Sequence, residues 1–155
     1  MGKTKSNFIS GFTLTEILVA ILILSLLAGF IFSTFISFRK NQSMSLDTET
    51  VLETIRQARS QTLSSKGGEL YGVHFSSSKI TLFTGNAYNQ NGAGNISFDM
   101  NPNNIISWNL SGGGNDVVFS RLNGETTNDG TITISSQGNS PKTITIYKTG
   151  LIESN

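Results

Sequence analysis

Between Lys5 and Arg39 the sequence holds one charged side chain, Glu16, near the start of a run otherwise fit for a lipid bilayer. A charge at the centre of a membrane helix costs roughly 2.5–3.5 kcal/mol, so a run that keeps this carboxylate calls for something that compensates it. The other reactive side chains offer little chemistry. His74 is the only histidine and sits in "YGVHF", a strand-like stretch, where a structural role is expected. There is no cysteine, which removes disulfides, thiolate metal sites and cysteine nucleophiles together. No Ser–His–acid arrangement follows from the spacing, and no histidine-rich or paired-acid motif suggests a hydrolase. Asp99, Asp116 and Asp129 lie among Asn and Gly, but the alternating oxygen ligands and closing glutamate of a calcium loop are absent. They are read as turn residues. Asn-x-Ser triplets at Asn41, Asn95 and Asn109 are expected by chance in so Asn- and Ser-rich a chain. Trp108 and Tyr147 are read as packing residues or partial surface anchors. The sequence therefore predicts no enzyme, no metal and no cofactor.

The elements that must position Glu16 begin with the apolar run itself. From Ile17 to Phe38 no residue is charged, and about 22 residues rise roughly 33 Å as a helix, enough to cross a bilayer core. A cleavable secretory signal would be shorter and would end in a small-x-small site. Here Leu26 and Leu27 stand two residues before Ala28 and Gly29, and the run continues. An ordinary anchor would leave Glu16 unexplained. Lys3 and Lys5 before the run nearly balance Arg39 and Lys40 after it, so charge alone does not set orientation; the short polar tail favours a cytoplasmic N-terminus.

Helical spacing continues beyond Lys40. Val51, Leu52, Ile55, Ala58 and Leu63 form the apolar stripe, with Asp47, Glu49, Glu53, Arg56 and Arg59 read as its solvated face. A helix from Phe12 to about Ser64 is expected, stopped at Lys66-Gly67-Gly68 by glycines that accept the left-handed cap conformation. Strands are then predicted at residues 70–76, 79–84, 105–110, 116–120, 131–135 and 142–147. "TITIS" and "KTITIYK" carry the period-two pattern of a sheet with one buried face. "SGGGND", "NGETTNDG" and "SQGNSP" supply the turns between them. Residues 85–104 read as a long Asn/Gly-rich loop with a short strand near 96–98. With 155 residues, a net charge of +1 and 14% charged residues, the composition suits one small turn-rich β domain behind an anchor.

The first residues also resemble a family. Lys3 and Lys5, then Gly11, then Phe12-Thr13-Leu14-Thr15-Glu16 ahead of an apolar run, resemble the leader of type IV prepilins and pseudopilins. The resemblance implies cleavage between Gly11 and Phe12 by a membrane aspartyl peptidase, N-methylation of Phe12, and Glu16 as the family glutamate fifth after the cut. The new α-amino group is mostly cationic at neutral pH. In a fibre of staggered parallel helices, one subunit's Glu16 would then meet a neighbour's Phe12 amine, costly alone and neutralised only in the correct register. "QARSQTLSSKGGELYGVHF" and "VVFSRLNGETTNDGTITISSQGNSPKTITIYKTGLI" further resemble the GspH/FimT family of pseudopilins and minor pilins.

That resemblance implies an α+β fold, a long N-terminal helix packed on a C-terminal antiparallel β domain. The expected divisions are a leader at 1–11, a transmembrane or fibre-core helix at 12–38, its amphipathic continuation at 39–65 and an extracytoplasmic β domain at 66–155. The implied function is a minor subunit of a type IV pilus or secretion pseudopilus, with a pilus-tip binding module as the alternative. Implied partners are other pilin subunits, prepilin peptidase, an inner-membrane assembly platform, and membrane lipid before assembly. Some relatives take up DNA through C-terminal arginines. Residues 147–153 here hold one lysine and one glutamate, so DNA is not an expected partner.

Overall fold

The computed structural model describes residues 11–155; the expected leader's basic tail, with Lys3 and Lys5, lies outside them. A helix, α1, runs Leu14–Leu63. Eight strands follow: β1 Tyr71–Ser76, β2 Lys79–Thr84, β3 Ile96–Asp99, β4 Asn104–Leu110, β5 Asp116–Val118, β6 Gly130–Ser136, β7 Lys142–Ile146 and β8 Ile152–Ser154. They form two antiparallel four-stranded sheets ordered β3-β2-β1-β5 and β4-β6-β7-β8. The chain divides between Phe38 and Arg39 into two units.

Among the described residues of the first unit nothing apolar is buried. The large side chains from Phe12 to Phe38 are all exposed, and the segment is long and apolar enough to cross a membrane. A run of this composition has no place in water without a cover. The second unit holds the core. Val51, Leu52, Ile55 and Ala58 of α1 join one buried cluster with Val73, Phe75, Ile80 and Leu82 of the first sheet and Ile132, Ile134, Ile144 and Ile146 of the second. The alternating "TITIS" pattern places Ile132 and Ile134 inward and the threonines outward. Burying each such isoleucine contributes about 1.5–3 kcal/mol.

The helix stripe departs from the sequence reading at its end. Leu63 is exposed, whereas Thr62 is fully buried. Thr62 Oγ1 accepts from Tyr71 N at 2.9 Å and donates to Tyr71 O at 3.3 Å, so it clasps the start of β1. Buried Thr48 and Thr54 donate to the carbonyls of Met44 and Thr50 four residues back, which lets a hydroxyl enter an apolar face at little cost. The charged face is not wholly solvated either. Asp47 Oδ2 accepts from Asn101 N at 3.0 Å and Asn104 Nδ2 at 2.6 Å, and Arg59 Nε donates to Gly124 O at 3.2 Å. The first left-handed residue after α1 is Ser65, followed by Gly67 and Gly68. The long loop is shortened by β3, and β8 is a strand the sequence reading did not contain.

Gly150, in the turn between β7 and β8, has φ +75°, and a Cβ there would overlap the Gly124 carbonyl oxygen and press on Arg59 Nε. The Gly150→Ala variant is expected to lose at least about 2 kcal/mol from the combined strain and overlap. The measurement is the urea midpoint followed by Trp108 fluorescence. Gly114→Ala, whose added Cβ meets nothing within 4 Å, serves as control and should stay near the wild-type midpoint.

Candidate functional site

The residues expected to carry processing and assembly lie at the start of the first unit. Gly11 and Phe12 precede the helix and are exposed, Phe12 at 84%. A Cβ added at Gly11 would meet nothing within 4 Å among the described residues, so their packing does not demand glycine there. Thr13 is the residue before the first helical one. Its Oγ1 accepts from Glu16 N at 3.3 Å, while Glu16 Oε2 accepts from Thr13 N and from Thr13 Oγ1, each at 2.8 Å. This reciprocal pair is a capping box, in which the first and fourth residues satisfy each other's otherwise orphaned amides. It accounts for α1 starting at Leu14 rather than Phe12. The Thr-x-x-Glu spacing was legible, but the sequence reading gave Glu16 a role only between subunits. One turn further on, Ala20 sits in a shallow hollow of about 360 Å³ formed with Thr15, Glu16, Val19 and Ile23.

The reactive residues of the second unit are used structurally. His74 Nδ1 lies 2.6 Å from Asp116 Oδ1, and the imidazole stacks on Tyr88 with centroids 3.8 Å apart. Tyr88 N donates to Asp116 Oδ2 at 3.3 Å, and Phe83 meets the Tyr88 ring edge-on. Asp116 is therefore not a turn residue: it starts β5 and ties the loop after β2 to the sheet. Asp99 likewise belongs to a strand, β3, opposite Lys79. Asp129 lies between strands, its carbonyl accepting from Ser111 N and Oγ. Among the described residues no three His, Cys, Asp or Glu side chains come together as a metal site. Trp108 is partly buried, its Nε1 donating to Gly114 O at 3.2 Å. Tyr147 OH donates to Glu153 Oε2 at 2.9 Å, a contact that clasps β7 to β8 and raises the phenol above its ordinary pKa. Lys142 and Lys148 lie at and beyond opposite ends of β7 and form no joint cationic patch.

Residues 7–32 match the prokaryotic N-terminal methylation motif, and residues 47–150 match the type II transport protein GspH. The chain has no significant match among curated proteins. Among solved structures it is similar to the type IV minor pilin FimU of Pseudomonas aeruginosa, at 14% identity and a TM-score of 0.59, over 76% of this chain and 92% of that one. It is also similar to the minor pseudopilin EpsH from the Type 2 Secretion System of Vibrio cholerae, at 12% identity and a TM-score of 0.55, over 73% of this chain and 96% of that one. At such identities the likeness speaks for the fold: one long helix and antiparallel sheets. With well over half its length matched by one family and a methylation motif ahead of it, the chain belongs to the GspH family of type II transport proteins.

Proposed function

We propose that the chain is a minor pilin or pseudopilin, a structural subunit of a type IV pilus or a type II secretion pseudopilus. The observation that carries this is the first unit: a methylation motif leading into an apolar run whose large side chains up to Phe38 are all exposed and whose one carboxylate, Glu16, stands in the first turn of the helix. Such a helix needs lipid before assembly and other helices after it. Prepilin peptidase cuts between Gly11 and Phe12, the Phe12 amine is methylated, and Glu16 of one subunit pairs with the Phe12 amine of the next. The N-terminal tail is cytoplasmic, residues 12–38 cross the membrane once, and the β domain is extracytoplasmic until an inner-membrane platform moves the subunit into the fibre. The hollow beside Ala20 gives an adjacent subunit's side chain a seat next to Glu16. Mass spectrometry of protein extracted from native membranes tests the reading: the N-terminal peptide should begin at N-methylated Phe12. A mature chain that still begins at Met1 would overturn it.

DNA is not an expected partner of the second unit. Phosphate binding draws on several cations acting together, and Lys142 is already bonded to Ser45 Oγ at 2.9 Å. The purified chain in detergent is expected to bind duplex DNA only weakly at physiological salt. Submicromolar binding lost in Lys142→Ala and Lys148→Ala would promote a tip-binding role instead.

A further inference from the structure

Just past the apolar run, the second unit carries a groove of about 510 Å³. Lys40 lies on one side, with Pro102, Asn103 and Ile105 from the start of β4, and Ser136 and Gln137 from the end of β6. No carboxylate lines it. Lys40 is half-buried, and its ammonium has no hydrogen-bonding or ionic partner among the described residues. A cation that has no counter-charge beside it is free to take up an entering anion. The polar wall is set in advance: Ser136 Oγ donates to Asn103 O at 3.1 Å, and Asn103 N and Nδ2 both donate to Asn101 Oδ1. Pro102 and the exposed Ile105 supply an apolar flank. The groove thus offers one positive charge, hydroxyl and amide groups, and a greasy side.

The depth of Lys40 follows from chain connectivity. Lys40 is two residues beyond Phe38, so its Cα lies within about 7 Å of the last apolar residue whatever the path between them. If the run to Phe38 fills the hydrocarbon core, Lys40 stands at the level of the lipid phosphates. Exposed Arg39 adds a second cation at that level. Lys142, opposite Ile134 in register and bonded to Ser45, stands next to the Ser135–Ser136 wall.

We propose that this groove seats the headgroup of an anionic phospholipid, with its phosphate on Lys40 and its glycerol portion against Pro102 and Ile105. The proposal rests on the membrane anchoring put forward above and adds to it a lipid-selective site on the outer domain. Basic residues next to a membrane span attract anionic headgroups, and the unpaired, groove-bound Lys40 gives that attraction a fixed address.

The test uses the full chain in nanodiscs containing equal amounts of phosphatidylglycerol and phosphatidylcholine, released for native mass spectrometry. Recovery in the discs reports anchoring; the identity of retained lipid reports the groove. Wild type should retain phosphatidylglycerol several-fold over phosphatidylcholine, and Lys40→Gln should bring the two near parity. Arg39→Gln removes the same charge next door and should lower the preference much less. Equal retention of both lipids by wild type, or equal losses in the two variants, would overturn the groove while leaving the anchor intact. Enrichment abolished by excess inorganic phosphate would also overturn it, showing a plain anion site. A chain that never enters the discs would remove the membrane reading beneath it.

Discussion

Gly11→Val should leave the full-length precursor in the membrane, with no mature protein. The substitution is well suited to the question because the described residues do not resist it. A Cβ at position 11 meets nothing within 4 Å, and the residue lies before the first turn of α1. Any loss of processing therefore reports on the peptidase cleft, where a branched side chain beside the scissile bond would crowd the backbone. Gly29→Val is the matched control. It too has open space around its Cβ, but it lies in mid-helix, far from the cut. Immunoblots of membrane fractions should show precursor alone for Gly11→Val and mature protein for Gly29→Val. Normal maturation of Gly11→Val would count directly against the cleavage site.

The second large effect concerns Glu16. Removing it relieves an insertion penalty of roughly 2.5–3.5 kcal/mol, so Glu16→Ala should enter the membrane and be cleaved at least as well as wild type. If Glu16 pairs with a neighbour's Phe12 amine in the fibre, the same change leaves that amine unpaired, and breaking such a buried pair typically costs about 3–5 kcal/mol. Recovery in sheared fibres, or in crosslinks to other subunits, should fall by on the order of a hundredfold. The capping box complicates this variant, because alanine also removes the cap on Thr13 N, a loss of about 0.5–2 kcal/mol to the helix start. Glu16→Gln separates the two. Glutamine still accepts from the Thr13 amide and keeps the box closed, but it carries no charge. A Gln variant that assembles poorly, to a similar or lesser degree than Ala, assigns the loss to the charge. If Glu16→Ala enters fibres at the wild-type level, the pairing is wrong.

What was legible in the sequence was whatever repeats over short distances. β6 and β7 were found because Thr–Ile alternation marks one buried face, and β2 because Lys79 and Thr84 bound a compact apolar run. The apolar helix was plain from composition. The misses involve residues whose partners are remote. Thr62 reads as polar until Tyr71 arrives to use its hydroxyl. Asp47 reads as solvated until Asn101 and Asn104, more than fifty positions later, fold onto it. β8 is three residues long and acquires its strand character only by pairing with β7. The groove at Lys40 joins segments that are all unremarkable singly. The capping box is the exception: Thr13 and Glu16 stand three apart in plain view.

That box bears on what a subunit must do to its own helix end on joining a fibre. Both bonds from Thr13 fall on Oε2 of Glu16, and Oε1 has no partner among the described residues. The first turn of α1 is therefore closed by the chain's own atoms, with one carboxylate oxygen still able to accept an ammonium. Joining a fibre need not wind the helix end, and leaving it need not unwind that end. If subunits assemble through Glu16 as proposed, joining becomes a matter of docking finished parts, without the costly nucleation that forming a helical turn entails.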